Sequence, residues 1–334
     1  MNDASPLTTA QQQFTSAVPF RSLGSEMCPL SNALGRVLYS DIVAPTDMPP
    51  YPRVIVEGFL VNTADTATAS ESAPIAFNIA GEIRPGDTEC PAIQKGQALR
   101  VSTGSIVSHD TPLSVVRMWE AQLQGNSVEI TRPFPPRFFI EEQGCDVQKN
   151  AVALKAGTVS TPYNIGIIAS LGISQIKLSR KPKVTIFASG DEVIPYTEPL
   201  GPGTIRDSNS IMLAAAVTQA GGIPTIAGIM KDDFNAFAAA VSNALQETDM
   251  VVISGGTAAA GRDFIADLVN NEGELIIDGV PMRSGKPLIM GISEHKPIIC
   301  VAGHPPEALR GFKLFGVAAI DRLLGKEADL PIDE

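Results

Sequence analysis

The sequence predicts an α/β protein: a doubly wound, mostly parallel three-layer sheet domain accompanied by a small all-β domain and a helical linking domain. Three observations carry that prediction. In the last third, apolar strand-like runs alternate with helical runs of roughly 10 to 15 residues, the rhythm of right-handed crossovers. Between Asp47 and Asp146, short β-like runs are interrupted by glycine or proline at intervals of roughly 8 to 12 residues, the texture of an all-β module. The segments on either side carry helical periodicity and capping residues. The predicted boundaries are residues 1–46 with 147–180 for the linking domain, 47–146 for the β-rich domain, 181–326 for the sheet domain and 327–334 for a tail.

Taken in order, the chain opens with an amphipathic helix around Pro6 to Ala17, followed by a helical run LSNALGRVL, Leu30 to Leu38, with Ser31 as its cap. The β-like runs are VEGFLVN, APIAFNIAGEI, ALRVSTGS, LSVVRMWEA and SVEITRPF. From Gly144 the chain reads as helical again, with Asn164 to Leu171 stopping at Gly172. Next come a strand at Val184 to Ser189, a helix from Ser208 to Ala220 and the apolar run IPTIAGI. A helix from Phe234 to Leu245, strand MVVIS, a helix from Phe264 to Asn270, strand PIICVAG and a last helix from Glu307 to Leu324 complete the pattern.

Composition limits function. A chain of 334 residues with 44% apolar residues is long enough for two or three cores. Its formal charge of −11, with no basic block, makes nucleic acid a poor partner. The first thirty residues lack a basic leader and an apolar signal core, and no apolar run reaches the length of a membrane span, so the chain reads as cytoplasmic. The four cysteines are scattered singly and there are three histidines, which indicates neither a disulfide framework nor a thiolate zinc site.

In doubly wound sheets, ligands bind beyond the carboxyl ends of the strands. Those ends carry Ser189-Gly190-Asp191-Glu192, Ser254-Gly255-Gly256-Thr257 and Gly303-His304-Pro305, with Ser284-Gly285-Lys286-Pro287 lying between the last two. Glycine lets a ligand approach the backbone and helix N-termini present unpaired N–H groups, so the rim suits an anion, phosphate first, with Lys286 as a point charge. A lone SGG at a strand end is more often a tight turn than a phosphate cradle, and SGDE is no better alone. Asp207-Ser208-Asn209 is also explained as helix capping, and His304 as a turn residue. Four such turns at one rim shift the balance toward a site.

The same residues carry a family resemblance. SGDEVIP, RDSNS, ISGGTAAAGRDF, RSGKPLIMG and VAGHPPEAL, with NALGRVLYSDIVAPTDMPPYPRVIVEGFLV, GQALRVSTGS and EEQGCDVQKN upstream, resemble in order and spacing the molybdopterin molybdenumtransferase family, the MoeA and gephyrin E-domain proteins. The resemblance runs from about Leu30 to about Leu324. It implies a molybdopterin-binding type of sheet domain, and an enzyme that receives adenylylated molybdopterin, releases adenylate and inserts molybdate into the dithiolene with Mg²⁺. It also implies a homodimer in which the β-module of one subunit faces the sheet domain of the other, with a molybdoenzyme or an adenylyltransferase as a further partner. The implied catalytic acids are Asp207 and Asp263, with Glu57 and Asp146 supplied across the interface; Asp207, Asp263 and Glu57 are the implied metal ligands.

The chain departs from the family at several points. Glu57 stands where an aspartate is usual, Ala258 and Ala260 replace a serine and a glycine, the GNP motif reads Gly303-His304-Pro305, and the acid expected after Thr103-Gly104 is matched only by Asp110 nearby. The usual C-terminal β-domain is expected to be absent after Gly325. These departures predict ligand binding with slow turnover. Two other readings remain open at this stage: a non-catalytic molybdopterin carrier, and a nucleotide-processing enzyme on the same α/β domain. Asp146, Asp191, Glu192, Asp207 and Asp263 are either cation ligands or solvated surface acids.

Overall fold

A computed structural model describes residues 5–21, 23–231, 233–256, 262–280 and 287–326, with the backbone alone for Arg262 and Asp263. It divides into two compact units, Met1–Asp41 with Lys155–Gly166 and Ile173–Glu334 in one, and Ile42–Leu154 with Ile167–Gly172 in the other. The segments predicted as a linking domain are therefore shared between the units.

The larger unit is built on a six-stranded sheet ordered Ile223–Met230, Lys183–Ser189, Met250–Ser254, Lys296–Val301, Ile289–Ser293, Glu274–Asp278. The first four strands are mutually parallel, and the last two join antiparallel. Alternation along the strands places a core on each face. Met250 and Val252, with Val184, Ile186 and Ile299, pack against Phe14, Leu213, Val217 and Phe312 on one side. Val251 and Ile253, with Phe187 and Ile298, pack on the other against Phe237 and Val241 of helix Phe234–Glu247 and Ile265 and Leu268 of helix Arg262–Glu272. A sheet buried on both faces needs continuous apolar strands, which is why MVVIS and PIICV read as unbroken runs.

Helix Pro6–Ala17 starts where Ser5 accepts a hydrogen bond from the Thr8 N–H at 3.2 Å, with proline at the first position, and its Phe14 meets Phe315 edge to face at 6.2 Å. Asp233 caps helix Phe234–Glu247 through the Ala236 N–H at 3.1 Å. The last helix is continuous from Pro305 to Leu324, with a π-helical turn at Phe312–Gly316 in its middle.

The smaller unit holds the second six-stranded sheet, ordered Leu113–Arg117, Gly58–Asn62, Gln97–Val101, Ile75–Ile83, Ser127–Ile130, Gln122–Gln124. All neighbours are antiparallel except Ile75–Ile83 with Gln97–Val101. Leu60, Leu99 and Val115 face one core and Phe59, Val61, Phe77 and Val116 the other.

Two expectations are corrected. Leu30 to Leu38 is not a helix: only Leu30–Asn32 forms a 3₁₀ turn, Gly35 takes a left-handed φ of +71°, and Val37 and Leu38 bridge to Val159 and Leu178. Their β-branched and aliphatic side chains are buried by pairing with distant parts of the same chain, which local periodicity cannot anticipate. The segment from Gly144 becomes helical only at Pro162–Ser170; before that Val152–Leu154 pairs with Ile42–Val43.

Candidate functional site

Because four strands run the same way, their carboxyl ends open on one rim of the larger unit. A cavity of about 620 Å³ lies there. Ser189 and Gly190 end the first strand of the sheet domain, Ser254, Gly255 and Gly256 end the next, and Gly303 and Pro305 follow the last parallel one. Asp207, Ser208 and Asn209 bring the start of helix Asn209–Gln219 to the same space.

Asn209 ties these segments together. Its Nδ2 donates to Ser254 Oγ at 2.7 Å and to the Gly303 carbonyl at 2.7 Å, and Ser254 Oγ donates to the Ala302 carbonyl at 3.3 Å. That amide orientation is dictated, since the reverse would set its oxygen against the Gly303 carbonyl. Among the described residues Asn209 Oδ1 is buried without a partner, a state that costs about 1–3 kcal/mol and that a donor would relieve.

The helix N-terminus is capped by Asp207, whose Oδ1 accepts from the Ser210 N–H at 3.0 Å, while the Ser208 side chain makes no capping bond. Capping thus uses one oxygen of a carboxylate that also lines the cavity, and leaves the Ser208 hydroxyl exposed. Gly255 is required where it stands: φ is +105°, and a Cβ there would lie 2.5 Å from the Ser189 carbonyl oxygen. Its N–H donates to Val301 and that of Gly190 to Met230, so neither amide is available to an anion. Gly256 and the start of helix Asn209–Gln219 instead line the cavity, with the exposed Arg206, whose Nε donates to the Glu198 carbonyl at 3.0 Å.

The other predicted residues divide between the cavity and positions away from it. Glu192 lines the cavity, whereas Asp191 is exposed and uses its carbonyl to accept from Lys231 Nζ at 2.7 Å. His304 is exposed, and its carbonyl accepts from Glu307 and Ala308 at the start of the last helix, outside the cavity lining. Pro287 is buried and also outside it. Thr257, Ser284, Gly285 and Lys286 lie outside the described residues, as does the side chain of Asp263. Glu57 and Asp146 are exposed residues of the smaller unit. Among the described residues no three His, Cys, Asp or Glu side chains cluster as a metal site.

Sequence reasoning missed Arg206, Val193, Ile205 and Phe264, all of which line the cavity. A basic residue directly before Asp207 was the available signal for Arg206. Burial pushes the thiols of Cys90, Cys145 and Cys300 up, so none of these three is a ready nucleophile. No helix among the described residues is long and apolar enough to cross a membrane.

Comparison with known proteins agrees with this architecture. Residues 5–172 match the MoeA N-terminal region (domain I and II), and residues 185–322 match the Probable molybdopterin binding domain. The chain is 30% identical over 305 residues to a molybdopterin molybdenumtransferase of Nostoc, covering 90% of this chain and 70% of the relative. It is 30% identical over 295 residues to the Bacillus subtilis molybdopterin molybdenumtransferase, covering 87% and 69%. A solved MoeA protein of molybdopterin biosynthesis from Pyrococcus horikoshii superposes with a TM-score of 0.76 at 30% identity, over 97% of this chain and 81% of that one. A glycine-turned, asparagine-tied cavity on a doubly wound sheet, joined to those matches along nearly the whole chain, places the protein in the molybdopterin molybdenumtransferase (MoeA) family.

Proposed function

We propose that this chain binds adenylylated molybdopterin in the strand-end cavity, releases adenylate and inserts molybdate to give the molybdenum cofactor. The observation that carries the reading is Asn209: its two donated bonds fix two strand-end turns to the start of its helix, and its Oδ1, unpaired among the described residues, leaves one buried acceptor for a donor-bearing ligand. Pterin rings carry such donors, and the anionic part of the substrate suits the helix N-terminus, the Gly256 N–H, the Ser189 and Ser208 hydroxyls and Arg206.

Asp207 fits a hard cation. Its side chain lines the cavity, one carboxylate oxygen is spent on the Ser210 N–H, and Mg²⁺ takes one or two protein carboxylates with the rest of its shell from water and phosphate. Asp207, with Asp263, would hold Mg²⁺, which when bound offsets phosphate charge as the adenylate leaves. The chain's own part is positioning: Asn209 orients the pterin, the helix N-terminus holds the phosphate, and the fixed turns keep the polar groups from rearranging. Glu57 and Asp146 join the reading through the family resemblance, as acids from a second copy in a cytoplasmic homodimer, and a molybdoenzyme or an adenylyltransferase is its further partner.

The test is turnover. Pure protein with adenylylated molybdopterin, Mg²⁺ and molybdate should release AMP and form cofactor, and Asp207→Asn should lower the rate at least about tenfold while binding persists. Pterin binding with no AMP release in wild type would replace the insertion reading by that of a carrier. Preference for free nucleotide over pterin would make the chain a nucleotide-processing enzyme.

A further inference from the structure

The segment Pro195 to Thr204 joins the two strands of a short parallel ladder, Val193–Ile194 with Ile205–Arg206. Val193, Ile205 and Arg206 line the strand-end cavity, so the segment is rooted at the cavity on both sides. It is tied mainly to itself. The Glu198 N–H donates to the Pro195 carbonyl at 3.0 Å, and the Thr204 hydroxyl accepts from the Gly201 N–H and donates to the Gly201 carbonyl, both at 2.9 Å. Among the described residues, its hydrogen bonds to the rest of the unit pass through its roots alone, the side-chain one being Arg206 Nε to the Glu198 carbonyl at 3.0 Å. A segment bonded within itself and held at two short strands moves as one piece.

Its surface is the wrong kind for water. Tyr196 and Leu200 are each 58% exposed, and the adjoining Ile205 is 54% exposed. Beside it lies a second concavity of about 540 Å³, walled by Ile194, Ile211, Ile226 and Ile229, in which Ile211 and Ile226 also face water. Two apolar surfaces exposed side by side are each relieved when they meet. The concavity begins at the segment's own root, since Pro195 and Tyr196 line it. From Tyr196, the chain to Leu200 reaches up to about 13 Å when extended, enough to cross a space of that size.

We propose that Pro195–Thr204 is a lid: it folds onto the concavity with Leu200 seated against Ile211 and Ile226, and Arg206 latches it when an anion occupies the strand-end cavity. Arg206 is a positioning residue that belongs to both places. Its Nε is spent on the Glu198 carbonyl of the segment, and its guanidinium has no other partner among the described residues, so its Nη groups remain for an anion in the cavity that it lines. A bound anion fixes the guanidinium, the guanidinium fixes the segment, and the closed population rises by the anion's preference for that state. The closed lid keeps water from the rim and slows release of the ligand. The identity of the anion rests on the proposed function; the lid rests on the segment and the concavity.

Hydrogen exchange of the full chain with and without molybdopterin, read by mass spectrometry over residues 195–204, tests closure, and stopped-flow dissociation of molybdopterin tests its consequence. In wild type, bound molybdopterin should slow exchange over the segment at least about tenfold. Leu200→Ser should lose that protection and release molybdopterin at least about fivefold faster, with association within about twofold. Arg206→Lys keeps the charge but cannot hold the Glu198 carbonyl and an anion together, and should lose the protection as well. Unchanged exchange in molybdopterin-bound wild type, or a wild-type dissociation rate in Leu200→Ser, would overturn the lid; protection retained in Arg206→Lys would overturn the latch. A second measurement needs no pterin. The double variant Leu200→Cys with Ile226→Cys, treated with diamide, should form an intrachain disulfide at least about tenfold faster than Leu200→Cys with Ile223→Cys, because Ile223 is on the same strand but outside the concavity. Equal rates for the two pairs would overturn the lid. Wild type that binds no molybdopterin, beside fast crosslinking of positions 200 and 226, would sink the reading of the cavity's ligand and still support the lid.

Discussion

Both units are built on a six-stranded sheet covered on its two faces, yet a cavity lined by convergent polar turns lies on the larger one. The difference is strand direction. In the larger unit four parallel strands end on one side, each handing over to a turn and three of them to a helix, so glycines, hydroxyls and helix N-termini gather on a single rim. In the smaller unit most neighbours are antiparallel, successive strands end on opposite sides, and a connection such as Gly125-Asn126 only reverses the chain. A site needs convergence, and parallel order supplies it.

The largest effect expected is on the core that holds the rim in place. Phe312→Ala removes a fully buried ring and should cost about 3–5 kcal/mol, read as the shift in urea unfolding. A smaller loss would mean that the helix carrying the π-turn repacks.

Next come the glycines, which separate the two kinds of turn. Gly255→Val places a β-branched side chain at φ +105° and within contact of the Ser189 carbonyl, and should cost about 2–4 kcal/mol and abolish pterin binding. Gly125→Ala also sits at positive φ, +60°, but meets nothing within 4 Å, and should cost only about 1–2 kcal/mol without touching ligand affinity. Equal losses at the two positions would erase the distinction drawn between the sheets.

Much of this contrast could be read in the sequence. MVVIS and PIICVAG were legible because strands buried on both faces are continuous apolar runs closed by glycine. The turns at Ser189, Ser254 and Gly303 were legible because glycine and serine cluster at those closures. The hairpin of Glu274–Asp278 with Ile289–Ser293 was not: its strands are short, and their partners are set by the sheet edge. Leu30 to Leu38 misled because its spacing of leucine and valine fits a helix, while the chain buries Val37 and Leu38 by pairing with residues more than a hundred positions away.

Asn209→Ala should have an intermediate effect. It deletes both bonds to Ser254 and Gly303 and should cost about 1–3 kcal/mol in stability, with a clear loss of pterin affinity. The smallest effect belongs to the smaller unit. Arg117 first, then Arg132, hold the Glu120 carboxyl at about 2 by hydrogen bonding and charge. A depressed folded-state value means that the contribution is complete above the ordinary carboxylate range, from about pH 5, and is lost as pH falls through the interval from 4.5 to about 2. Glu120→Gln should therefore be less stable than wild type by about 0.5–1 kcal/mol at pH 7, with the gap closing toward pH 2.5. A gap that does not change with pH would remove the ion pair from the account.

The most direct measurement is calorimetric titration of adenylylated molybdopterin into the full chain and into two variants, Asn209→Ala at the rim and Glu120→Gln in the smaller unit. Saturable binding to wild type and to Glu120→Gln with the same affinity, and weakening by at least about tenfold in folded Asn209→Ala, is the predicted result. Binding that Asn209→Ala leaves unchanged would contradict the assignment of the ligand to the strand-end cavity.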